Sequence, residues 1–154
     1  MISKPSTDQI LDDCARELRE LVLPTVTDPA LRVQLEMMEQ VIRSCAVRAA
    51  HEIAWMADES VEMEAFAADV VAGDPDAHEV ATLLGQARGE RESGLDLSSQ
   101  VANYDRAGRA FSAALAQVIA RGDGAAAARA RDLILARLVH ERACRADFYF
   151  PGRT

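Results

Sequence analysis

Apolar residues recur every three or four positions from Ile10 to Val139, which is the period of one helix face. Ile10, Cys14, Leu18 and Leu21 open the pattern, and Ser6 followed by Gln9 has capping-box spacing. A first helix is therefore predicted over 7–22, stopped by Pro24. Asp28-Pro29 supplies an N-cap and a first-turn proline for a second. Its seam is Leu31, Leu35, Met38, Ile42, Cys45, Ala49, Ile53 and Met56, nearly a heptad. A second line runs through Met37, Val41, Ser44, Val47, His51 and Trp55. A helix apolar on two sides packs on more than one neighbour, so this element is the expected spine.

No Gly or Pro interrupts the stretch from Pro29 to Gly73, yet one helix of that span would be about 65 Å long. That exceeds what a compact domain of this size accommodates. A break is expected near Asp58-Glu59-Ser60, with a third helix over 60–72. Gly73-Asp74-Pro75 separates it from a fourth over 75–88, and 89–94 reads as a charged, Gly-flanked loop. Val101, Tyr104, Gly108, Phe111, Leu115 and Val118 mark a fifth helix over 98–121, with Gly108 suggesting a close helix crossing. Gly122-Asp123-Gly124 turns into a sixth over 124–147, and the aromatic tail Phe148-Tyr149-Phe150-Pro151 is expected to dock on the bundle. The predicted fold is all-α, a compact bundle of five or six helices around a long central second helix, in a single domain over 1–154.

Composition sharpens this. Ala, Leu and Val dominate the apolar residues and aromatics are few, which favours helix and close helix packing. The net charge of −8 and the scattered arginines leave no basic footprint for nucleic acid or for an anionic membrane surface. No apolar run approaches the roughly 20 residues that a bilayer span requires. Met1–Asp8 has no apolar stretch of the kind a secretory signal carries. Cys14, Cys45 and Cys144 are odd in number and lack CxxC spacing; falling on helical patterns, they read as small buried hydrophobes. A cytoplasmic location follows as an expectation.

Reaction motifs are missing. The residues three before His51, His78 and His140 are Arg48, Pro75 and Arg137, so no ExxH di-iron pair exists. His51-Glu52 and His140-Glu141 each lack the second histidine of a zinc HExxH. No nucleotide loop or nucleophile elbow is present, and no metal or cofactor is expected. A weak ligand-binding constellation remains: His51, Glu52, Trp55, Tyr104 and His140, lining a polar pocket between the second, fifth and sixth helices. The plainer alternative pairs Glu52 with Arg48 or another arginine at the rim and stacks His51 on Trp55. Glu36, Glu39 and Arg43 read as a solvated face.

Leu11, the run Ala15-Arg16-Glu17-Leu18-Arg19, then Val22-Leu23-Pro24 and Arg32-Val33 resemble the opening of an uncharacterised helical domain family. That family accompanies aminoglycoside-phosphotransferase-like kinases and acyl-CoA dehydrogenases in bacteria. The resemblance covers about the first fifth of the chain. It implies an accessory protein for a kinase or an acyl-CoA-metabolising enzyme, and it carries over no catalytic residue. The expected function is thus a non-catalytic helical partner protein, a homodimer or one bound to another protein. The alternative is a small-ligand sensor or a cofactor-free enzyme built on the five residues above.

Overall fold

The computed structural model describes residues 4–145. Five α-helices follow one another: α1 (Thr7–Glu17), α2 (Pro29–Gly73), α3 (His78–Gly89), α4 (Leu97–Arg121) and α5 (Gly124–Cys144). No strand occurs among the described residues. The fold is all-α, with α2 by far its longest element. The aromatic tail from Phe148 lies outside the described residues.

Local chemistry sets most helix ends. The Ser6 backbone N–H donates to Gln9 Oε1 at 3.0 Å at the start of α1. After Glu17 the chain widens into a π-turn over Leu18–Val22, then tightens into a 3-10 turn over Leu23–Thr25 that contains Pro24. Asp28 Oδ1 accepts from the backbone N–H of Ala30 at 2.8 Å and of Leu31 at 3.3 Å, which caps α2. Asp96 Oδ1 caps α4 through the Ser99 N–H at 3.0 Å, and Gly122 ends that helix at φ 67°. α3 begins at His78, later than Pro75 suggests, because Asp74 Oδ1 holds the Asp76 N–H at 3.0 Å in a turn.

The expected break at 58–60 does not occur. α2 runs through it, and Ser60 donates its hydroxyl to the Met56 carbonyl at 2.6 Å instead of capping a new helix. The length objection assumed one packing unit around the whole helix. The chain instead forms two compact units, and α2 belongs to both: the first is Met1–Glu52 with Val139–Thr154, the second Ile53–Leu138.

The second unit holds the apolar core. Met63, Phe66 and Ala67 of α2 pack with Ala77, with Val80 and Leu84 of α3, with Ala107, Ala110, Phe111, Ala114 and Val118 of α4, and with Ala130 of α5. Alanines on α4 recur at 107, 110 and 114, which brings helix surfaces close. The Phe66 and Phe111 rings meet at 5.2 Å between centroids, tilted by 58°. Such a pair adds about 0.5–1.5 kcal/mol beyond area burial. Gly108 does not mark a helix crossing: a Cβ built there meets nothing within 4 Å.

The loop before α4 is pinned by buried amides. Asn103 accepts from the Glu92 N–H and donates to the Glu92 carbonyl, both at 2.9 Å. Gln100 donates to the Gly94 carbonyl at 2.7 Å. A methyl on Gly94 would lie 2.5 Å from both Asp96 Oδ2 and Ser99 Oγ, so glycine is needed for this close approach.

The first unit is built differently. Its buried apolar residues, among those described, are Ala15, Leu23 and Ala46. Glu39 is not solvated as expected but 2% exposed. It accepts from Arg19 of the π-turn at 2.9 Å and from Arg43 one turn along α2. A buried carboxylate needs such partners, and removing both would strand its charge. The Ser44 hydroxyl donates to the Cys144 carbonyl of α5. Cys14 and Cys45 are exposed and Cys144 is half-buried, so none is the buried hydrophobe expected. The buried line of α2 here runs through Glu39 and Ala46, seven residues apart, and Cys14 and Cys45 fall outside the packed faces.

Candidate functional site

Two features of the structure are candidates for function, one in each unit. In the second unit, the continuity of α2 carries Glu59 two turns beyond Glu52, on the same side of the helix. Tyr104 of α4 donates its hydroxyl to Glu59 Oε2 at 2.7 Å. Arg137 of α5 has its Nε 3.4 Å from the same oxygen, and its guanidinium lies 5.3 Å above the Tyr104 ring. Three helices thus meet on one carboxylate, one phenol and one guanidinium.

Burial and the bond to Glu59 push the Tyr104 hydroxyl up to about 12. The phenol therefore keeps its proton at neutral pH and acts as a fixed donor. A general acid or base works best with a pKa near the working pH, which this phenol is far from. The arrangement is that of a polar cluster holding helices together, in which the buried Arg137 Nε makes an ion pair with Glu59 but no hydrogen bond.

A shallow cleft of about 620 Å³ adjoins the cluster, lined by Glu79, Leu83, Tyr104, Gly108, Arg109 and Arg137 among others. A smaller cleft of about 320 Å³ lies between Phe66, Gln117, Arg121 and Arg129. Its cations are already matched: Arg121 to Asp74 at 2.7 Å, Arg129 to Asp69 at 2.6 Å. Among the described residues, no group of three or more His, Cys, Asp and Glu is placed to hold a metal ion.

The five residues singled out from the sequence fall in both units. His51, Glu52 and His140 belong to the first, Trp55 and Tyr104 to the second. Glu52 is half-buried and takes its hydrogen bonds from Arg48, one turn back. His51 is exposed, while Trp55 and His140 are half-buried. Tyr104 joins a cluster spanning three helices, and its partners Glu59 and Arg137 were not singled out. Glu59 had been assigned to a helix break. Running the helix on would have placed it seven residues after Glu52, at the next equivalent position.

The second feature is the surface of the first unit. Large apolar residues of α2 lie open to solvent: Leu31 is 45% exposed, Met37 43%, Met38 55% and Val41 48%. Leu21 and Val22 of the preceding π-turn are exposed as well. Leu31 and Met38 belong to the predicted seam, Met37 and Val41 to the second apolar line, so both lines surface here. No described helix is long and apolar enough to cross a membrane.

Comparison of the chain with protein-family models, curated proteins and solved structures gave no match.

Proposed function

We propose that this chain is a non-catalytic helical partner protein of the cytoplasm, whose working surface is the apolar face of the first unit. One observation carries the reading: Leu31, Met37, Met38 and Val41 stand exposed on a unit whose buried apolar residues, among those described, are Ala15, Leu23 and Ala46. A unit that buries so little gains stability by covering that face, and contiguous exposed apolar surface marks interaction sites. The likeness of residues 11–33 to helical domains that accompany kinases and acyl-CoA dehydrogenases supports an accessory role beside such an enzyme. The small-ligand reading has less behind it, since the Tyr104 hydroxyl is committed to Glu59 and the cleft beside it is shallow.

The test pairs sedimentation velocity with binding of an environment-sensitive apolar dye to the full chain. The reading predicts either self-association or dye binding, and predicts that Met38→Glu removes whichever occurs while circular dichroism is unchanged. A chain that stays monomeric and takes up no dye has no apolar face on offer, and the proposal fails.

A further inference from the structure

The exposed face of α2 has an internal order. Leu31, Met38 and Cys45 repeat at seven, and Gln34, Val41 and Arg48 repeat at seven between them. This alternation of three and four is the spacing of a two-helix coiled coil, apolar at Leu31, Met38, Val41 and Cys45 and polar at Gln34 and Arg48. All six residues are exposed. From Leu31 to Cys45 the seam is about 21 Å long.

Charge selects the occupant. The chain carries a net −8, so two copies repel each other over most of their surface. The stretch 29–52 is an exception: Arg32, Arg43 and Arg48 balance Glu36, Glu39 and Glu52. The charges are also satisfied within the helix, by the pairs Arg32–Glu36, Arg43–Glu39 and Arg48–Glu52. A strongly acidic or basic partner finds nothing complementary here. A seam that is apolar at Leu31, Met38, Val41 and Cys45, with the Arg48 charge matched by Glu52 on its own helix, can meet its own copy, which is what a two-fold interface requires.

From these observations we propose that the occupant is a second copy of this chain, docked through the seam Leu31, Met38, Val41 and Cys45 of one α2 against the same seam of the other. This rests on the partner-surface reading and names the partner. A seam this short gives a reversible dimer with Kd on the order of micromolar rather than a permanent one.

The experiment is sedimentation equilibrium on the full chain, on Met38→Glu and on Val41→Glu, with Val61→Glu as control. Val61 lies on the same helix in the second unit and is 56% exposed, so it brings the same charge change at a site off the seam. The expected result is a monomer–dimer equilibrium weakened about 100-fold by either seam variant and unaltered by the control. Alkylation of Cys45 should also slow as protein concentration rises, while that of Cys14, exposed but off the seam, should not. A monomer that binds apolar dye overturns the dimer and leaves the partner-surface reading standing, with a different protein as occupant. A monomer that binds no dye overturns both. A dimer indifferent to both seam variants overturns the seam. Dimerisation seen only in a chain ending at Arg145 would assign the face to residues 146–154 and likewise overturn the proposal.

Discussion

Asp74 sits where α2 gives way to α3 and gathers three partners: the Gln117 amide at 2.7 Å, the Arg121 guanidinium at 2.7 Å and the Asp76 backbone N–H at 3.0 Å. Together they pull its carboxyl from the usual 3.8 down to about 2, with Gln117 the largest influence. A carboxyl depressed on folding stabilises the native state above the unfolded value, and that stabilisation is lost as pH falls towards the folded one. Acid unfolding should therefore draw on Asp74 between about pH 4 and pH 2. In Asp74→Asn, urea midpoints should be lower at neutral pH and depend less on pH across that window; an unchanged acid limb would contradict the assignment. None of this was readable from Gly73-Asp74-Pro75, which announced only a turn. The two side-chain partners come from α4, more than 40 residues away, and spacing along a chain does not report them. Glu39 teaches the same lesson. Its i,i+4 relation to Arg43 suggested a solvated face, and Arg19 from the π-turn is what closes over it.

At the scale of elements, ends were more legible than middles. Ser6, Asp28 and the Gly122 turn act locally and do what their residue types dictate. Asp96 would have been found by the same rule, two residues before the start expected for α4. The faces were legible in part. On α4 the expected seam holds at Phe111 and Val118, which are buried, and at Tyr104 and Leu115, which pack against the core, while the core also follows Ala107, Ala110 and Ala114 and leaves Val101 41% exposed. Helices in contact through alanine approach closely and push bulky neighbours to the flanks. The continuity of α2 was misjudged by an argument about length. Asp58→Pro tests it directly, because proline inside a helix costs about 3 kcal/mol or more, while Asp58→Ala should be nearly neutral. Urea denaturation showing the proline variant to be as stable as the alanine one would mean that the helix breaks there after all.

For the whole molecule, composition and period sufficed to give the helical class. The division of labour along α2 was invisible to them. Residues 53–73 sit in a closed core with Met63 and Phe66 fully buried. Residues 29–52 bury Glu39 and Ala46 and leave a neutral apolar seam outside. Both halves show the same helical period, so only packing distinguishes them. The central claim is that the second unit carries its own large apolar core, while the exposed face of α2 in the first unit is proposed to take a partner. Amide hydrogen exchange along α2, followed in dilute and in concentrated protein, tests this most directly, since exchange reports local opening. Amides over 30–45 should exchange far faster than those over 60–72 in dilute solution and gain protection as concentration rises. Equal protection along the whole helix, independent of concentration, would contradict the account.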